Sequence, residues 1–245
     1  MPLLPVSLVV PTHNRAASLV RLLGSLENLK PGPQEIILVN DGSSDRTASV
    51  LESWEHKKDL IDQPERIAIH LPTPHGPATA RNSGISAASH QIIAFTDDDA
   101  VVTPRWIYWL TRHFLDEPEK YGMHTCLCGV GGLVLPLRRD LLSRYYEDQK
   151  ILDPPRRLTY LVTVNCCFLK NCLEDVGLFD SSFPVPGGED TDISLRLHRL
   201  HYRFAREKKA LVYHDFSPNF WHFCEMWIRY GKGTRGAVQN GGVHS

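Results

Sequence analysis

The chain has no long apolar run. Its most apolar-leaning stretch, Leu158 to Leu169, is broken by Thr159, Tyr160, Thr163 and Asn165 and falls short of the ~20 residues a membrane-spanning helix needs. No basic segment followed by an apolar stretch opens the sequence, so a signal peptide is not expected. Neither charge sign dominates: Lys and Arg number 27, Asp and Glu 28, for a formal net charge of -1. That balance argues against a nucleic-acid backbone as the main partner. The six cysteines include no C-x-x-C pair, and the adjacent Cys166 and Cys167 suit neither a zinc ribbon nor a disulfide framework. Reduced cysteines in a cytoplasmic protein are the expectation. Internal repeats and low-complexity stretches are also missing. What remains is a globular chain, 42% apolar and 22% charged, that is soluble or at most peripheral to a membrane. Its 245 residues suffice for one large α/β domain.

The first ~115 residues alternate between two periodicities. Val6 to Val10 is short and β-branched, and Pro11 ends it, as expected of a buried strand. Ala17 to Leu26 carries Leu19, Leu22, Leu23 and Leu26 at helical spacing. Glu35 to Val39, Ile67 to Leu71 and Ile92 to Thr96 read as further strands. Helices are expected from Asp45, as a cap, through Trp54, over Ala78 to Ala88, and from Pro104 through Leu115. Such alternation implies a mostly parallel sheet with helices on both faces. Ligands bind such sheets at the carboxyl ends of the strands. Three polar clusters fall there: Pro11-Thr12-His13-Asn14, Asn40-Asp41-Gly42 and Asp97-Asp98-Asp99. The second half is less regular. Val130 to Leu135 and Val162 to Leu169 read as strands, Gly187 to Leu200 as a helix, and Arg203 to Tyr213 as strand-rich with a charged turn at Glu207-Lys208-Lys209.

Three consecutive aspartates repel one another, and leaving them unpaired beside a buried strand end is costly. A hard divalent cation relieves that repulsion, and oxygen ligands suit Mg²⁺ or Mn²⁺. Asp97 and Asp99 project to the same side if the strand continues, so both can face a metal–diphosphate pair. The competing reading is a solvated loop capping the next helix. Gly187-Gly188-Glu189-Asp190-Thr191-Asp192 joins flexible backbone to three carboxylates at a helix start, where they also favour the helix dipole. Asp190 there is a candidate general base, the group that strips a proton from an attacking hydroxyl. His214 ends the Ala210-Leu211-Val212-Tyr213 run and can complete a metal shell as a neutral imidazole.

Five segments together resemble glycosyltransferase family 2, the large inverting group with the GT-A fold. They are Val6 to Arg15, Glu35 to Asp45, Gly76 to Gly84, Phe95 to Asp99 and Gly188 to Arg196, in the family's order. The resemblance spans residues ~5 to ~215. It implies an α/β GT-A fold, with a Rossmann-like, mostly parallel mixed sheet and an acceptor-binding C-terminal half. It also implies roles. Pro11, Thr12 and Arg15 lie near the nucleotide's base and ribose, and Asp41 accepts from the imide of uracil or thymine. Arg81 reaches the base or diphosphate. Asp97 and Asp99 are the ends of the D-x-D motif, with Asp97 and Asp98 on the donor nucleotide and Asp99 on the metal. His214 is a second metal ligand, Asp190 the catalytic base, and Glu189 positions the acceptor. The implied cofactor is Mn²⁺ or Mg²⁺, the donor a nucleotide-diphosphate sugar, favouring UDP, and the acceptor a glycan, a lipid-linked molecule or a small molecule.

The Q-x-x-R-W pattern of the family's processive members is missing, which points to transfer of a single sugar. Two other readings remain. A sugar-nucleotide nucleotidyltransferase needs a glycine-rich phosphate loop after the first strand, and Pro11 to Arg15 holds no glycine. A non-catalytic sugar-nucleotide binder predicts loss of the base or of the metal carboxylates, and both are present. The expected organisation is one catalytic domain over residues 1–215, with a nucleotide-binding half (1–115) and an acceptor-binding half (116–215). An aromatic helix and flexible tail follow at 216–245. Phe220, Phe223 and Trp227 share a face of that helix, which packs on the core, binds acceptor through Trp221, or meets the cytoplasmic face of a membrane.

Overall fold

The computed structural model describes residues 2–56, 63–116, 126–152, 158–183, 186–216, 219–221, 223–229 and 231. The expected tail from 232 onward, and His222 and Tyr230 of the aromatic segment, lie outside them. Among the described residues, the bounded elements are β1 (Leu4–Thr12), α1 (Ala16–Leu26), β2 (Pro33–Asp41), α2 (Thr47–Glu55), β3 (Glu65–Leu71), α3 (Pro77–Ala87), β4 (Ile92–Thr96), β5 (Ala100–Val102), α4 (Trp106–Leu115), β6 (Leu127–Pro136), α5 (Leu141–Gln149), β7 (Asn165–Leu169), α6 (Lys170–Asp175), α7 (Glu189–Arg199) and β8 (Arg203–His214).

The strands form one sheet in the order β3-β2-β1-β4-β7-β6-β8-β5. The first four strands by sequence are parallel to one another, as the alternation predicts. Beyond β4 the sheet is mixed: β7 runs antiparallel to both β4 and β6, and β8 pairs parallel with β6. The central strands are buried on both faces, so their side chains alternate between two cores. Val6, Leu8 and Val10 of β1, with Ile36 and Leu38 of β2, pack with Leu19, Leu22 and Leu26 of α1 and Trp106 and Leu110 of α4. Val9, Ile37 and Val39 face the other way, onto Ala80 and Ile85 of α3 and Ile193 and Leu197 of α7. Gly84 makes the second layer tight, because a Cβ there meets Val9 Cγ1 at 2.4 Å.

After β1 the chain steps outward to β2 and β3, then returns to lay β4 on the opposite side of β1. The carboxyl ends of β1 and β4 therefore flank the point where the winding reverses, and loops leaving them diverge to open a crevice. Pro11 to Arg15 leave one strand and Asp97 to Asp99 the other.

Three local expectations differ from the structure. Residues 203–214 form one strand rather than two around a charged turn. Gly131 pairs with Arg206 and Leu133 with Leu211, so the extra residues of β8, Glu207-Lys208-Lys209 among them, bulge out of the ladder. The segment between Asp99 and the helix expected from Pro104 holds an unexpected strand. Ala100 to Val102 form the short edge strand β5, antiparallel to β8. Strand β7 starts at Asn165, not Val162, and Asn165 is a fully buried polar hub. Its Oδ1 accepts from Trp106 Nε1 at 2.8 Å, and its Nδ2 donates to the carbonyls of Leu133 and Ala210, each at 2.9 Å. One side chain thus ties α4, β6 and β8 to β7. The six cysteines are free thiols. No helix among the described residues is long and apolar enough to cross a membrane.

Candidate active site

The first two loops are fastened to each other before any ligand is considered. Asn14 adopts a left-handed backbone (φ 53°), which asparagine tolerates better than most residues. Its Oδ1 accepts from the backbone N–H of Ser44 at 2.8 Å and of Asp45 at 3.2 Å. Nδ1 of His13 lies 2.6 Å from the carbonyl of Asp41. The N-cap of α2 is Arg46 rather than the expected Asp45, which stands one residue earlier and accepts from Thr47 N at 2.9 Å. Asp41 fixes a third loop: its two carboxylate oxygens accept from the backbone N–H groups of His75 and Gly76, each at 2.8 Å. Gly42 (φ +61°) lets that loop pass, since a Cβ there lies 2.5 Å from Pro74 N.

Asp97 to Asp99 do not continue β4. They form a turn closed by Ala100 N donating to the Asp97 carbonyl at 3.1 Å. The turn still brings Asp97 and Asp99 to one side, because it reverses the chain between them. Each offers a carboxylate oxygen, and His214 a ring nitrogen, within 4.8 Å of one another. His214 arrives through the pairing of Ala100 with His214 in β5 and β8, reinforced by Asp215 N donating to the Asp99 carbonyl at 3.0 Å. His214 Nδ1 is buried without a hydrogen-bond partner among the described residues, and Asp99 Oδ1, buried likewise, faces His214 Nε2 as an ion-pair contact. Two hard carboxylate oxygens and an imidazole at this spacing fit a divalent cation.

The electrostatics separate the three aspartates. Asp98 points away from the cluster: Thr12 Oγ1 donates to its Oδ2 at 2.7 Å. Burial and the neighbouring Asp99 charge push its carboxyl up to about 7. Burial also pushes Asp99 up, but His214 and Arg15 outweigh it and hold that carboxyl well below the usual carboxylate range. Arg15 Nη1 donates to Asp99 Oδ2. Burial raises Asp97, opposed by Arg81. Burial lowers His214, but Asp99 and Asp97 together outweigh it and leave the imidazole raised.

Arg81, only 4% exposed, spans the two halves of the site. Its Nη2 donates to Asp97 Oδ1 at 3.1 Å and its Nη1 to Glu189 Oε1 at 2.9 Å. The other oxygen of Glu189 accepts from Gly187 N at 2.7 Å, so both oxygens of this buried carboxylate are engaged. Gly188 (φ 101°) turns the chain into α7 and sets Asp190 on its first turn. Asp190 Oδ1 accepts from Thr191 N at 2.8 Å. Burial and the adjacent Glu189, opposed by Arg81, push Asp190 up to about 7. One open cleft is lined by Arg81, Asp97, Glu189, Asp190 and His214, with Tyr160 on its wall.

Segments distant in sequence therefore converge as expected. Thr12 and Arg15 join the aspartate turn, Arg81 joins Glu189, and His214 joins Asp97 and Asp99. Pro11 is half-buried at the end of β1. Trp221 is 76% exposed and is not among the residues lining the cleft. Sequence reasoning missed Tyr160 and the support behind His214. Asp215 pairs with Arg21 Nη2 at 2.5 Å and Arg138 Nε at 2.6 Å, linking α1 and the segment after β6 to the residue next to His214. Its position next to His214 was the only sequence signal.

Residues 7–177 match the profile of glycosyl transferase family 2. The chain belongs to glycosyltransferase family 2. It is similar to the pre-mycofactocin glycosyltransferase of Mycobacterium tuberculosis, 32% identical over 221 residues, covering 86% of this chain and 42% of that protein. It is also similar to the hyaluronan synthase of Pasteurella multocida, 25% identical, covering 87% of this chain and 25% of the synthase. The chain thus spans less than half the length of these relatives. Among solved structures, the mannosyltransferase PcManGT of Pyrobaculum calidifontis, in complex with GDP-Man and Mn²⁺, superposes with a TM-score of 0.67 at 18% identity, covering 97% of this chain and 64% of that one. Residues 1–349 of S. aureus TarS, in complex with UDP, superpose with a TM-score of 0.65 at 20% identity, covering 95% and 65%. The fold of this family-2 chain is GT-A.

Proposed function

We propose that this family-2 chain transfers one sugar, with inversion, from a nucleotide-diphosphate sugar to an acceptor hydroxyl, with Asp190 as general base. The observation that carries the proposal is that Asp190 shares one cleft with Asp97 and His214 of the candidate metal cluster. The acceptor oxygen attacks the anomeric carbon as Asp190 takes its proton. The bond from that carbon to the diphosphate oxygen breaks as the new one forms, and no covalent sugar–enzyme intermediate is required. Asp190, raised by burial, has a proton affinity suited to this transfer near neutral pH. Asp97, Asp99 and His214 would hold Mn²⁺ or Mg²⁺, and such an ion would supply positive charge against the leaving diphosphate. Arg81 adds fixed positive charge on the same side. Holding both substrates in one cleft contributes much of the acceleration.

The preferred donor is a UDP-sugar. Each Asp41 oxygen accepts one backbone N–H and retains a second lone pair, so a pyrimidine imide can still donate to it. TarS is solved with UDP, and PcManGT with GDP-Man. The deciding experiment is a thermal-shift screen of UDP-, GDP- and dTDP-sugars with Mn²⁺ and Mg²⁺, followed by nucleotide release across an acceptor panel. Metal-dependent stabilisation by a UDP-sugar and acceptor-dependent UDP release are expected. Release that is indifferent to acceptor and metal removes the proposal.

A further inference from the structure

The catalytic cleft does not end at its polar residues. Two residues of its wall, Ile151 and Leu152, also line a second groove, whose other walls include Leu133 and Leu135 of β6. Lys150, in a left-handed conformation (φ 53°) at the end of α5, turns the chain so that Ile151 and Leu152 stand between the two. The groove's floor is a stacked pair, Tyr146 and Phe216, with ring centroids 4.2 Å apart and planes 12° apart. Phe216 in turn lies against His214, with centroids 4.6 Å apart. Apolar surface continues outward through Phe223, whose ring lies 5.6 Å from Tyr146 and 6.2 Å from Trp227. A charged reaction centre thus has a mainly apolar groove beside it, with Ile151 and Leu152 as their shared wall.

We infer that this groove is the apolar arm of the acceptor site, and that the acceptor carries an alkyl or aryl group beside the hydroxyl it presents to Asp190. The inference rests on the transferase reading above and deepens it by naming the acceptor class. The wall shared with the cleft argues for the occupant. A molecule whose hydroxyl meets Asp190 has Ile151 and Leu152 along its flank, and the groove removes from water whatever extends past them. The groove's volume, about 210 Å³, is below the ~300 Å³ at which pockets enclose a whole small ligand. It accommodates one substituent, a short chain or a single ring, rather than an entire acceptor.

The test measures affinity for n-alkyl β-D-glucopyranosides from methyl to octyl, below their micelle concentrations, by saturation-transfer NMR on the full chain. Affinity is expected to rise about threefold for each methylene buried and to level off once the groove is filled. Leu135→Asp, which places a charge in the groove, and Leu135→Trp, which fills it, are each expected to flatten that rise; the second keeps the test decisive if the first unfolds. Affinity independent of chain length in the wild type overturns the inference, as does a rise unchanged in both variants. Co-sedimentation with phosphatidylcholine–phosphatidylglycerol vesicles, without any gain along the soluble series, assigns the surface to a bilayer and likewise overturns it. UDP and GDP binding with Mn²⁺ is measured on the same samples. A flat series with nucleotide bound sinks the groove alone. Loss of all nucleotide binding sinks the transferase reading and the acceptor assignment with it.

Discussion

His214 Nε2 lies 3.1 Å from Asp99 Oδ1, although one residue ends the last strand and the other follows the fourth. The contact exists because Ala100 pairs with His214 and the Asp99 carbonyl accepts from Asp215 N, so two backbone registers set the distance. A metal site built this way is held by the sheet rather than by flexible loops.

Replacing His214 by alanine removes one of the three candidate ligand atoms. Mn²⁺ affinity, read by metal titration of nucleotide binding, is expected to fall at least about tenfold, since even outer-sphere losses cost that much. Unchanged Mn²⁺ dependence excludes His214 as a ligand.

Asp190→Asn keeps the shape of the side chain and removes its basicity. Transfer is expected to drop by roughly 10²- to 10⁴-fold, while UDP affinity in a thermal-shift titration stays within about twofold. Retained turnover rules out Asp190 as the base.

The raised Asp190 carboxyl also gives two pH signatures. A base works only when ionised, so kcat/KM is expected to rise with pH through about 7 and level above it. For stability the sign is reversed. A carboxyl raised on folding binds its proton more tightly in the native state, so it favours folding at acid pH, and that contribution is lost as pH rises through about 7. Asp190→Asn should therefore raise the melting temperature at pH 8 by several degrees, and by much less at pH 5. Equal shifts at both pH values count against the burial of this charge.

Arg81 neutralises Asp97 and Glu189 from a buried position. Arg81→Met strands both carboxylates and is expected to cost about 3–5 kcal/mol in urea unfolding. The double variant with Glu189→Gln should recover part of that loss, and strict additivity would show that the pair is not coupled.

Gly132 lies where β6 meets β8, and a Cβ there sits 2.3 Å from the Ala210 carbonyl oxygen and from Asn165 Nδ2. Backbone cannot yield as a flexible side chain does. Gly132→Ala is expected to destabilise by about 1–3 kcal/mol, measured by chemical unfolding. A neutral effect would mean that β6 and β8 separate readily at this point.

The sequence by itself determined the nucleotide half. Its strands are short apolar runs and its helices carry apolar stripes, and both periodicities are local properties of the chain. Pro11 to Asn14, Asp41 and the three aspartates stood out as polar clusters at strand ends and Asp190 as a carboxylate at a helix start, whereas Arg15 and Arg81 were singled out only by the family resemblance. The tertiary structure alone decided how these residues share their work. Whether Asp97 and Asp99 face one ion depends on a tight turn and on a three-residue strand, β5, too short to leave a periodic trace. The double engagement of Glu189, the tethering of a third loop by Asp41, and the wall of Ile151 and Leu152 shared by cleft and groove arise from contacts between segments far apart in the chain. No local pattern encodes such contacts, since each partner's placement depends on where the whole sheet carries it.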